Sequence, residues 1–102
     1  MPEWLLSFDS THHAIAAENL VKENRPEGLV MHVIPTPRQI TASCGISLLF
    51  QGKDNEPFPE FILQMMQERQ IRWQALFSRT DVGTCAWQQE KKPPTDEQEA
   101  IE

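Results

Sequence analysis

Cysteine is scarce, two in 102 residues. That is too few for a disulfide scaffold. Glycine is scarce as well, with four, and no glycine-rich phosphate loop is present. Bases are outnumbered, nine against fifteen acids, for a net charge of −6. That balance opposes binding to nucleic acid, whose phosphates call for the opposite sign. No apolar run approaches the about 20 residues of a membrane helix, so no contact with a bilayer is expected. The N-terminus lacks the charged, apolar and small-residue zones of an export signal, so a cytoplasmic location is expected. There is no C-x-x-C, and the adjacent His12 and His13 point apart on a helix. A zinc site from Cys44, Cys85 and the three histidines is therefore disfavoured, and no metal or cofactor is expected.

What is present suits one small domain. The hydrophobic fraction of 39% and the charged fraction of 24% fit a soluble globular chain rather than a disordered one. The charge is uneven. Residues 88–102 (QQEKKPPTDEQEAIE) hold five acids and two bases, half of the net charge. They offer one large apolar residue, Ile101, and cannot bury enough surface to offset the entropy of ordering. The expected division is a folded domain over 1–87 and a flexible acidic tail over 88–102.

Trp4 to Phe8 reads as a strand, bounded by Asp9 and Ser10. Asp9, Ser10 and Thr11 are all candidate helix caps. Thr11 to about Asn24 reads as a helix, with Ala14, Ala17, Leu20 and Val21 at three- and four-residue spacing. Leu29 to Ile34 is the second strand, and Pro35 to Cys44 a loop. Gly45 to Phe50 is the third strand. A second helix starts at Pro57 or Pro59 and runs to Gln70, with Phe58, Phe61, Ile62, Met65 and Met66 on an apolar face. Ile71 to Arg79 is the fourth strand, with Trp73, Ala75 and Phe77 on one side. The order is βαββαβ, and right-handed crossovers place both helices on one face. The expected fold is a two-layer α+β, ferredoxin-like domain: a four-stranded antiparallel sheet of order 4-1-3-2 with two helices on one face. The other face should show Leu5, Ser7, Ser47, Leu49, Gln74, Leu76 and Ser78. Its leucines could serve a homodimer through the open sheet face, although scattered exposed leucines are ordinary.

Cys44 is the leading candidate for chemistry. It lies where the long loop meets a central strand. Gly45 follows it and leaves the backbone uncrowded. Arg38, six residues upstream, and free amides of the Thr41-Ala42-Ser43-Cys44 turn could approach the sulfur. Positive charge and amide donors lower a thiol pKa, and the thiolate is the nucleophile. Against this stands the reading of Cys44 as a small buried hydrophobe, which its strand parity permits. His12 and His13 lie in a helix's first turn, where one could act as a base or hydrogen-bond partner, or merely sit exposed. Cys85 could pair with Cys44 or resolve it after oxidation.

Two stretches resemble a known family. They are Phe8-Asp9-Ser10-Thr11-His12-His13-Ala14 and Ile34-Pro35-Thr36-Pro37-Arg38-Gln39-Ile40-Thr41-Ala42-Ser43-Cys44-Gly45-Ile46-Ser47-Leu48. They resemble the selenium/sulfur (Se/S) carrier protein-like family of small single-domain proteins, over roughly Leu5 to Phe77. The resemblance implies that Cys44 holds sulfur or selenium as a persulfide or selenopersulfide. Arg38, Ser43 and Gly45 fall on motif positions beside it, and His12 on the other motif. Donor and acceptor proteins would then be the partners, and the protein would be a carrier more than an enzyme. Two alternatives stay open: a non-catalytic ligand- or protein-binding regulatory module, and a thiol redox sensor using Cys85.

Overall fold

The computed structural model describes residues 3–24, 27–40, 42, 44–52, 57–79 and 87–92. Along the chain run β1 (Glu3–Ser7), α1 (Thr11–Asn24), β2 (Val30–Pro35), β3 (Ile46–Gln51), α2 (Glu60–Glu68), β4 (Ala75–Arg79) and β5 (Gln88–Lys91). The strands form one antiparallel sheet of order β2-β3-β1-β4-β5. The domain is thus α+β, and its first four strands follow the expected 4-1-3-2 order. The expected count of four strands is corrected to five. β5 comes from the segment read as tail, and it pairs outside β4 through Phe77↔Gln89 and Ser78↔Gln88. Its four residues are all exposed, so no apolar alternation marked it. Residues 93–102 lie outside the described residues.

Alternation divides the sheet. Trp4, Leu6, Phe8, Leu48, Phe50 and Leu76 pack in one core with Ala14, Ala17, Leu20 and Val21 of α1 and Ile62, Leu63 and Met66 of α2. β1 lies between β3 and β4 and is buried along its whole length, as suits a central strand. Gly52 ends β3 against Trp4. A Cβ there would fall 2.8 Å from the Trp4 ring, so glycine is what leaves room for the indole.

β4 departs from the expected parity. Trp73 and Leu76 both belong to the helix-side core, three residues apart where a strand requires an even spacing. The reason is that the strand begins only at Ala75. Ile71 to Gln74 is irregular, and Gln74 enters by donating its N–H to Ser7 O at 2.7 Å. Leu76 therefore faces the helices, opposite Leu6, while Phe77 pairs with Leu5 on the other side.

That second face is not bare. Leu5, Ser7 and Ser47 are fully buried there, and Ile40 of the loop after β2 is buried outside the helix-side core. Gln39 Oε1 accepts the Trp87 N–H at 3.3 Å, and the Arg79 guanidinium lies 4.2 Å from the Trp87 ring centre. The loop after β2 and the entry to β5 thus touch.

α1 is capped by Ser10, whose Oγ accepts the His12 N–H and whose carbonyl accepts the Ala14 N–H. α2 ends differently. Ile71 N–H bonds Met66 O at 2.8 Å and Gln70 N–H bonds Gln67 O at 3.1 Å. This is a Schellman closure, with Gln70 at φ 61° in the position that glycine fills best. Gln70→Gly is expected to stabilise the domain by about 0.5–1 kcal/mol, read as a higher midpoint in urea. An unchanged or lower midpoint would count against strain at Gln70.

Candidate functional site

The backbone of Cys44 is held from two directions just before β3. Its N–H donates to Phe8 O, beyond the end of β1, at 3.3 Å. Its carbonyl accepts the Thr36 hydroxyl at 3.1 Å. Thr36 also donates its N–H to Gly45 O at 3.0 Å, so one residue of the Pro35-Thr36-Pro37 segment grips the peptides on either side of Gly45. The Thr36 proton is engaged on Cys44 O. The 2.7 Å contact between Thr36 Oγ1 and Ser47 Oγ is then donated by Ser47.

The Cys44 side chain points into the helix-side core and is 3% exposed. Its Sγ lies 3.5 Å from the Thr11 hydroxyl and accepts the Ile46 N–H at 3.5 Å. Thr11 opens α1, and because Ser10 does the capping, its hydroxyl is left for the sulfur. The positive end of the α1 macrodipole lies at that same turn. The sulfur therefore meets a hydroxyl and an amide, both able to donate.

The other expected residues divide. Gly45 is exposed beside Cys44, and a Cβ placed there would meet nothing within 4 Å. Arg38 is exposed on the turn closed by Ile40 N–H to Pro37 O, and no hydrogen bond or ion pair joins it to Cys44 among the described residues. His12 is exposed, its ring edge-on to His13 at 5.4 Å between centroids. His13 makes the tertiary tie of that pair, its Nδ1 accepting the Arg72 N–H at 3.1 Å. Ser43 and Cys85 lie outside the described residues. Sequence reasoning missed Thr11 as a sulfur neighbour, the Ile46 amide, and Thr36 as the clamp. Thr11 sits inside the same motif as His12, and the signal that favours it is the presence of Ser10 to take the capping role. Among the described residues no group of three His, Cys, Asp or Glu is placed to hold a metal ion.

The family model described as "Putative Se/S carrier protein-like" matches residues 3–78. The chain belongs to that family. The match runs from β1 into β4, includes both helices and Cys44, and stops before β5. No curated protein and no solved structure matches the chain. Among the described residues no helix is long and apolar enough to cross a membrane.

Proposed function

We propose that the protein carries sulfur or selenium on Cys44, as a persulfide or selenopersulfide. The observation that carries this reading is the Cys44 sulfur facing two donors, Thr11 Oγ1 and the Ile46 N–H, in a chain of this family. The ferredoxin-like plan is the scaffold for this, with β1 and β3 fixing the backbone around the sulfur. The step is a sulfane transfer. The Cys44 thiolate attacks the outer sulfur of a persulfide on a donor protein. A new S–S bond forms on Cys44, the donor's S–S bond breaks, and the donor leaves as a thiolate. Electrons and atoms balance without an added oxidant, and selenium in the outer position follows the same path. An acceptor thiolate reverses the step. Thr11 and the Ile46 amide can donate to the sulfur, and Thr36 holds the Cys44 carbonyl. Gly45 leaves the exposed backbone beside the buried sulfur uncrowded, so transfer requires the Cys44 side chain to turn outward there. Arg38 and His12, both exposed, are assigned to contact with the donor, and Ser43 joins them through its motif position alone. The working compartment in this reading is the cytoplasm.

One observation favours a second reading. At 3% exposure, Cys44 packs as a small core hydrophobe would, as in a non-catalytic binding module. The redox-sensor reading needs Cys85, which lies outside the described residues. Incubation with a cysteine desulfurase and cysteine, followed by intact mass, separates the first two readings. The carrier gains one sulfur atom and Cys44→Ala gains none. No gain on the native chain, or equal gain on Cys44→Ala, overturns the carrier reading.

A further inference from the structure

The two edges of the sheet are unlike. β5 is short and polar and carries Glu90 and Lys91, a common guard against edge pairing. β2 reads Val-Met-His-Val-Ile-Pro and has no charged residue. Val30 is 51% exposed and Val33 41% exposed, two of the few large apolar side chains left in solvent. Among the described residues, no strand covers the outer side of β2.

Backbone parity shows which groups that edge offers. Pro35 lies opposite Ile46, and the next residue, Thr36, donates its N–H inward to Gly45 O. Alternation then turns the N–H and C=O of Ile34, His32 and Val30 toward β3, and those of Met31, Val33 and Pro35 outward. Pro35 fits this assignment, because proline in a sheet occupies a position whose missing N–H would face away from the ladder. The outward donors are thus Met31 and Val33.

We propose that β2 pairs, antiparallel, with β2 of a second copy about a two-fold axis at His32. In that register Met31 of each chain lies opposite Val33 of the other. Each such pair exchanges two hydrogen bonds, so all four amides of Met31 and Val33 are satisfied. Val30 meets Ile34 on the side away from the helices, flanking the central pair of His32 residues. Pro35 falls opposite Leu29, outside the Met31–Val33 pairs. A slide that set Met31 opposite Pro35 would cost each such pair one of its two bonds, because proline has no N–H to give. The strand is self-complementary in bonds and in apolar pairs, and it brings no charge into the contact. Those properties select a second copy over a foreign strand. The sheet becomes continuous across ten strands, with both charged β5 edges outermost. The contact belongs at the small end of interface sizes, so the dimer depends on concentration.

Sedimentation velocity over a concentration series tests this. The native chain should shift from monomer to dimer as concentration rises. Val33→Lys, which places a charge on an exposed edge position, should remain monomeric with an unchanged far-UV circular dichroism spectrum. A direct readout comes from His32→Cys. Facing residues of a non-hydrogen-bonded pair lie about 4.5 Å apart between Cα atoms, within disulfide reach. Peptide mapping after air oxidation should link two position-32 peptides, while Gln89→Cys on β5 gives no such link. A native chain that is monomeric at every concentration overturns the proposal. So does a dimer that survives Val33→Lys, or one that forms no position-32 link.

Discussion

Phe50→Ala is expected to lower stability by about 3–5 kcal/mol, a large part of what holds a domain of this size. Phe50 is fully buried on β3. Its ring meets Phe58 edge-on at 5.0 Å between centroids, and Phe58 meets Trp4 in the same manner at 5.6 Å. Such edge contacts add to the burial term. The three rings tie β3, β1 and the approach to α2, so one deletion reaches three elements. The site has little means to collapse. Trp4 is already pressed against Gly52, and Phe50 is flanked across the strands by Trp4 and Met31. The measurement is the unfolding midpoint in urea, with the slope checked for two-state behaviour. A loss below about 1 kcal/mol would mean that neighbours refill the space and that the aromatic trio is not the centre of the core.

Glu3→Ala is the second large effect, expected at about 1.5–3 kcal/mol. Glu3 is a charged residue at 4% exposure on a strand end. Gln51 Nε2 donates to Glu3 Oε2 at 2.7 Å, and Arg79 Nε donates to Glu3 Oε1 at 2.9 Å. Burial pushes the Glu3 carboxyl up. The hydrogen bonds from Gln51 and Arg79 and the charge of Arg79 outweigh it and hold the carboxyl below the usual glutamate range. Removing Glu3 leaves Arg79, whose side chain is 24% exposed, without its carboxylate beneath the sheet surface. The sign of the pH dependence follows. A depressed carboxyl contributes fully above its unfolded value, about 4.3, and that contribution is lost as pH falls through the lower folded value. The gap between the native chain and Glu3→Gln should be constant above about pH 5.5 and shrink below about pH 4. A gap that stays flat, or widens in acid, would sink the assignment.

Much of the fold was legible because each element had a local reason. α1 begins and ends where capping residues and apolar spacing place it, Thr11–Asn24. β1 and β3 were marked as central by their apolar density, and the sheet confirms them there. β4 and β5 resisted for related reasons. Trp73 reads as a strand residue, yet it is drawn into the helix-side core from an irregular entry, and that shifts the parity of everything after it. β5 has no apolar side to show. Its pairing rests on backbone bonds to β4 and on side-chain ties such as Ser78 to Glu90 and Lys91 to Glu60, which only the folded sheet brings within reach. At the candidate site, the sequence singled out Cys44 and its loop but not the groups that meet the sulfur, Thr11 and the Ile46 N–H. Arg38 is the conspicuous cation, yet it stands in solvent. Thr11 is a modest residue whose hydroxyl reaches the sulfur only because β1, α1 and the Thr36 clamp converge there.

The placement of β1 has a consequence for the order in which this chain can fold during synthesis. β1 is made before both of its neighbours, which come from Leu48 to Gln51 and from Ala75 to Arg79. α1 can coil as soon as it is made, since its bonds are local. β1 must wait, with Trp4, Leu5 and Leu6 uncovered, until nearly half the chain has followed, and its second side stays open until β4 arrives. Closure of the most distant pairing, Glu3 with Arg79, spans the longest loop among the paired strands and carries the largest closure entropy, and apolar surface of β1 stays open to misassociation until it forms.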